Sequence, residues 1–148
     1  MATRNDNEAT ALAFDFGQRR IGVAFANRVS GSSSALTTLT TRDREELERS
    51  LRDLFEEWEP GAIVIGVPYN MDGTESEMTT AAIGFANRLA ERFGLPVEQV
   101  DERLTSAEAS AILRTQRESG ERRRKTRAGD IDSIAAQLIG ESWLRGDA

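Results

Sequence analysis

A chain of 148 residues with 39% hydrophobic and 30% charged side chains has room for one domain with a modest core, and not for two. With no cysteine and no histidine, disulfide scaffolds, thiolate or imidazole metal sites, iron–sulfur clusters, a cysteine nucleophile and the Ser-His-Asp triad are all excluded by inventory. The net charge of -6, from 25 Asp and Glu against 19 Lys and Arg, argues against a surface that coats nucleic acid indiscriminately, and the sequence predicts a soluble cytoplasmic protein without a membrane partner.

Met1 to Thr10 mix small, polar and charged residues without a hydrophobic period and read as a flexible tail, leaving 11–148 as a single domain. Ala11 to Phe16 and Arg20 to Ala26 are strand-like runs joined by Gly17-Gln18-Arg19, a separation suited to a tight hairpin, and Ser34 to Leu39 makes a third strand. Ile21, Val23 and Phe25 then alternate onto one face. From Asp43 to Trp58 the period becomes helical, with Leu47, Leu51, Leu54, Phe55 and Trp58 on one stripe, and Pro60-Gly61 is the expected stop. Ala62 to Gly66 is a short β-branched run of the kind that is covered on both faces. Met78, Ala81, Ala82, Phe85, Leu89 and Phe93 mark a second helix ending at Gly94, and Val97 to Val100 a last strand. Thr105-Ser106-Ala107-Glu108 has capping-box spacing and predicts a helix start at Thr105. Residues 115–129 hold six basic and two acidic side chains and read as a mobile basic loop. Asp130 is the expected N-cap of a final helix whose buried stripe is Ile131, Ile134, Ala135, Leu138 and Trp143. A hairpin, a third strand and then alternating helices and strands predict an α/β fold with a mixed sheet and helical cover.

Asp15 stands in an apolar strand, where a charge is unfavourable unless it meets a cation or a donor at the strand end. Glu102 follows the last strand, and alternation turns its neighbour Asp101 to the other face. Asp132 is expected in the first turn of the final helix. Brought together, these three carboxylates repel one another unless cations enter, and Mg²⁺ or Mn²⁺ suits an all-oxygen donor set. Two such ions about 4 Å apart activate water and stabilise a leaving oxygen without any histidine. The same placements also suit a turn-capping Asp15, a solvated Glu102 and an Asp132 that merely complements a helix N-terminus.

Several residues are candidates for phosphate contact. Arg122, Arg123, Arg124, Lys125 and Arg127 precede Asp132 and can bring a phosphate backbone to it, or can form only a solvated loop. Asn70 and Thr74, in the loop after the central strand, can donate to phosphate or simply shape a turn. Gln18, Arg19 and Arg20 lie in the first turn near Asp15, and Arg103 can pair with Asp101 or reach substrate.

Assembled, these residues resemble the YqgF/RuvX family. The stretches that carry the resemblance are Ala13-Phe14-Asp15-Phe16-Gly17 with Ile21-Gly22-Val23-Ala24, then Ile65-Gly66-Val67-Pro68 with Asn70-Met71-Asp72-Gly73-Thr74. Asp101-Glu102-Arg103-Leu104-Thr105 and Ile131-Asp132-Ser133-Ile134-Ala135-Ala136 complete it, so that it spans Leu12 to Trp143. The resemblance implies an RNase H-like fold, a five-stranded mixed sheet with helices on both faces, and a metal-binding catalytic set at Asp15, Glu102 and Asp132. Gln18 and Asp130 depart from the family pattern, where a small hydroxyl residue and a lysine are common.

The expectation is therefore a metal-dependent endonuclease that hydrolyses RNA phosphodiesters in maturation of pre-16S ribosomal RNA, acting on precursor RNA or a ribosomal precursor particle as a monomer or homodimer. A Holliday-junction DNA endonuclease and a non-catalytic RNA-binding or ribosome-associated factor are the alternatives. An actin-like ATPase fits less well, because the chain is short for two nucleotide-clasping domains.

Overall fold

The computed structural model describes residues 9–103 and 128–146, with side chains of the last helix described from Asp132 onward. Among these residues the strands are β1 (Thr10–Phe16), β2 (Arg20–Asn27), β3 (Ser32–Thr40), β4 (Ala62–Val67) and β5 (Val97–Asp101). The helices are α1 (Arg44–Trp58), α2 (Glu77–Phe93) and α3 (Ala128–Arg145). The sheet order is β3-β2-β1-β4-β5, with β1, β2 and β3 an antiparallel meander and β1, β4 and β5 parallel, as the sequence pattern predicts. The β1–β2 hairpin closes with the Gly17 N–H donating to the Arg20 carbonyl at 2.9 Å.

Alternation divides the sheet into two unlike faces. Leu12 and Phe14 of β1, Ile21 and Val23 of β2, and Ile63, Ile65 and Val67 of β4 meet α1 and α2 in a core rich in aromatic rings. Phe14 lies between Phe55, with ring centroids 6.1 Å apart, and Phe85, edge-on at 5.7 Å. The opposite face is built from small residues, Ala11, Ala13, Ala24, Ala26, Ala62 and Val64, and it receives α3 through Ala136, Ile139 and Trp143. Short side chains let the helix lie close to the strands. Ser33 Oγ donates to the Gln137 carbonyl at 2.8 Å, and the buried Trp143 indole donates to Glu98 at 2.6 Å beneath the Arg28 guanidinium.

Helix ends follow from capping chemistry. Asp43 accepts from the backbone N–H groups of Glu45 and Glu46, and Ser76 with Thr79 forms a capping box for α2, which stops at Gly94. The expected stop of α1 at Pro60-Gly61 comes one residue earlier, at Glu59, which takes the left-handed conformation at φ 43°.

Several boundaries differ from expectation. Thr10 belongs to β1, where it pairs with Asn27, rather than to the tail. Glu102 and Arg103, directly after β5, are helical, and the helix start expected at Thr105 lies outside the described residues. Ala128 opens α3, which puts Asp130 inside the helix instead of at its N-cap and Asp132 in its second turn. Of the expected stripe of α3, Ala135, Leu138 and Trp143 are buried and Ile134 only partly, and packing against the sheet adds Ala136 and Ile139, both fully buried. The rest of the expected tail, 1–8, and of the basic loop, 115–127, lies outside the described residues. No helix among the described residues is long and apolar enough to cross a membrane.

At Gly22 the backbone of α3 lies directly against the sheet, and an added Cβ there would lie 2.0 Å from the Asp132 carbonyl oxygen. Gly22→Ala is therefore expected to push α3 outward and to destabilise the protein by about 1–3 kcal/mol or more, measured by denaturant unfolding. Gly31→Ala, where nothing lies within 4 Å, serves as the control for φ strain alone.

Candidate functional site

Asp15 pairs laterally with Gly22 of β2 and with Gly66 of β4. Paired residues on neighbouring strands point to the same face, so Asp15 stands between two positions that carry no side chain. The vacant volume is taken by the α3 layer. Above Gly22 lies the Asp132 backbone, and above Gly66 a Cβ would meet Ile139 Cδ1 at 2.3 Å and the Glu102 carboxyl carbon at 3.6 Å. Glu102 arrives there because Val100 pairs with Gly66 on the α3 face and Asp101 with Val67 on the other, so the next residue returns to the α3 side. It is 8% exposed.

Asp15 and Glu102 are hydrogen-bonded to each other. Burial, then the bond to Asp15 and the charges of Asp15 and Asp132, push the Glu102 carboxyl up to about 10. Burial also raises Asp15, against the lowering effect of the bond from Glu102, and the Asp132 charge adds to the rise. The pair thus holds a proton near neutral pH, with Glu102 donating to the Asp15 carboxylate. Asp132 acts on both through its charge, yet its own carboxylate is engaged elsewhere: Arg20 Nε donates to Asp132 Oδ2 at 2.8 Å.

Among the described residues, no group of three or more carboxylates is gathered closely enough to hold a metal ion. The expected closed trio is instead a protonated pair with a neighbour that Arg20 has drawn aside. The donors still fit a hard divalent cation by chemistry: all are carboxylate oxygens, they lie on the α3 side of the sheet, and Glu102, held protonated first by burial and then by its acidic neighbours, becomes a further donor when its proton leaves.

The remaining candidates fall into three groups. Gln18, Arg19 and Arg20 are exposed in the β1–β2 turn, which is tied to the end of β3 by the Thr41 N–H donating to the Arg19 carbonyl at 3.0 Å and by the Thr41 hydroxyl on the Gln18 carbonyl. With Gly17, Met78 and Asp132 they line a cavity of about 360 Å³. Asn70 and Thr74 turn inward on their own loop: Asn70 Nδ2 donates to Thr74 Oγ1 at 3.0 Å, and Thr74 Oγ1 donates to Asp72 at 2.6 Å. They build the loop rather than present free donors. Arg103 pairs with Asp101, Nε to Oδ1 at 3.0 Å, and caps the carbonyls of Asn70 and Met71, so of the two roles open to it the structural one is realised. Arg122, Arg123, Arg124, Lys125 and Arg127 lie outside the described residues.

Sequence reasoning missed the Arg20–Asp132 pair. One signal for it was present: Arg20 and Gly22 share strand parity, and Gly22 faces α3.

Comparison with known proteins bears on the family and the fold. A putative pre-16S rRNA nuclease of Chromohalobacter salexigens is 48% identical over 136 residues, covering 92% of this chain and 89% of the relative, and one of Burkholderia ambifaria is 42% identical over 144 residues, covering 97% and 94%. Among solved structures, Thermus thermophilus RuvC in complex with a Holliday junction superposes with a TM-score of 0.61 at 14% identity, over 95% of this chain and 98% of that one, which shows a shared fold. The family model described as "RuvX: Holliday junction resolvase" matches residues 9–146, and the chain belongs to that family.

Proposed function

We propose that this chain is a metal-dependent endonuclease that hydrolyses RNA phosphodiester bonds in the maturation of pre-16S ribosomal RNA, acting in the cytoplasm. The observation that carries the reading is the buried Asp15–Glu102 pair at the end of the central strands, with Asp132 beside it, in a chain 42–48% identical to relatives named for that activity.

In this reading Asp15 is the central ligand, because the two flanking glycines let α3 and Glu102 pack over its neighbours and bring the other two acids beside its carboxylate. Glu102 supplies a second donor once its proton leaves, and Asp132 a third once it parts from Arg20. A bound Mg²⁺ or Mn²⁺ supplies water activation and charge stabilisation at the phosphate, the chemistry for which the chain has no histidine. Gln18, Arg19 and Arg20 border the cavity next to Asp132 and orient the phosphate backbone, and Arg122, Arg123, Arg124, Lys125 and Arg127 add sequence-independent attraction. Asn70, Thr74 and Arg103 support the site by stiffening the loop beside it.

A DNA-junction endonuclease is the second reading, favoured by the description that the family carries. Cleavage of precursor 16S RNA and of a four-way DNA junction at equal concentration, with Mg²⁺ or Mn²⁺, separates the two. Preferential, metal-dependent RNA cleavage is expected; junction cleavage alone transfers the proposal to DNA, and RNA binding without products makes the protein a binding factor. Asp15→Asn should lower the cleavage rate by roughly a hundredfold or more, and an unchanged rate would remove Asp15 from the mechanism.

Acidity gives an independent check. Both acids hold their protons more tightly in the folded chain than in the unfolded one, so the folded state binds more protons between the ordinary glutamate value of 4.5 and about 10. Stability of the metal-free protein should therefore fall as pH rises through that window. Mg²⁺ or Mn²⁺ should raise Tm more at pH 8 than at pH 5.5, because at the lower pH the ion competes with the Glu102 proton. Asp15→Asn should flatten both trends in a thermal-shift measurement.

A further inference from the structure

Arg20 opens β2, and alternation places it on the same face as Gly22, toward α3. Its bond to Asp132 is not sealed: the Arg20 side chain is 45% exposed and that of Asp132 23%. Either group can change partner without opening the core. The Asp132 backbone, by contrast, is seated against Gly22, so it is the carboxylate that is free to turn. Arg20 also lines a second cavity, of about 660 Å³, together with Arg19, Arg42, Thr40, Thr41, Asp43 and Glu46, so that three arginines face two acids there. The Asp43 carboxylate is committed to the first turn of α1. Arg19 and Arg42 make no ion pair among the described residues. Arg20 thus stands between an acid that it holds and a basic cavity suited to an oxyanion.

We propose that Arg20 is an exchangeable counterion: it holds Asp132 while no divalent cation is bound, and once released it binds a backbone phosphate of the nucleic acid in the cavity shared with Arg19 and Arg42. The inference rests on the reading of Asp132 as a cation ligand. A guanidinium and a divalent cation compete for the same carboxylate oxygens, and phosphate is the other oxyanion that a guanidinium matches well. Cation and nucleic acid then promote each other's binding, and the coupling is reciprocal.

Calorimetric titration with Mn²⁺ in the absence of nucleic acid reads the competition without any turnover. Arg20→Gln is expected to bind Mn²⁺ about fivefold more tightly than the unaltered chain, the effect of removing one partly exposed ion pair. Arg19→Gln, which removes the same charge without touching Asp132, should change the affinity by less than about twofold. Anisotropy of a labelled RNA hairpin in EDTA reads the other half. Asp132→Asn frees Arg20 and should bind the hairpin more tightly, with a salt dependence steeper by about one phosphate contact. Adding Arg20→Gln to Asp132→Asn should abolish that gain.

An Arg20→Gln chain no tighter for Mn²⁺ than Arg19→Gln overturns the inference, as does an Asp132→Asn gain that survives in the double variant. If the unaltered chain binds no Mn²⁺, or if Asp15→Asn leaves its Mn²⁺ affinity unchanged, the cation-ligand reading fails and the inference fails with it. Should Asp132→Asn not fold, the Mn²⁺ titrations of Arg20→Gln and Arg19→Gln decide alone.

Discussion

The seating of α3 against the small-residue face of the sheet is the constraint on which the candidate site depends. Alanines on β1, β2 and β4 lower that face, and Gly22 and Gly66 open it where Asp15 stands. Only there does a helix backbone come close enough to set Asp132 beside a strand carboxylate, with Ile139 and Glu102 filling the space over Gly66. A larger side chain at either glycine would separate the layers and with them the acids.

Crowding acids in this way is electrostatically unfavourable, and the protein offsets it by two different means. Glu102, buried, keeps its proton and shares it with Asp15. Asp132, nearer to solvent, keeps its charge and pairs with Arg20. Both compensations are removable, one by proton loss and the other by a change of partner, whereas a hydrophobic replacement for the acids would not be.

The two faces of the sheet carry different burdens. On the α1 and α2 side, Phe14, Phe55 and Phe85 form an interlocking aromatic core with no titratable group among its members, and this side carries most of the large buried side chains. On the α3 side the core is thinner and the polar chemistry is concentrated at one end, with Trp143 and its bond to Glu98 closing the other. The likeness to Thermus RuvC at 14% identity shows that the fold itself tolerates wide change in sequence.

Much of this was legible without coordinates. The turn at Gly17-Gln18-Arg19, the alternation of Ile21, Val23 and Phe25, the amphipathic α1 and the Gly94 stop are local patterns, set by sterics and hydrogen bonds within a few residues, so the meander and the layer type followed from them, but not the place of β4 between β1 and β5. The oddity of Asp15 in an apolar strand was legible for the same reason. The burial of Ala136 and Ile139 was not, because strands far away in sequence cover them, whereas Ala135, Leu138 and Trp143 are buried as the helical stripe predicts. The pairing of Arg103 with Asp101 and a turn shaped by Asn70 and Thr74 were each one of two readings the sequence left open, whereas the bond of Arg20 to Asp132 was hidden. The sequence by itself determined which carboxylates the chain possesses and on which strand face Asp15 lies; tertiary structure alone decided which of them touch, because contact between β2 and α3 depends on how closely two packed layers approach, and no short stretch of chain encodes that distance.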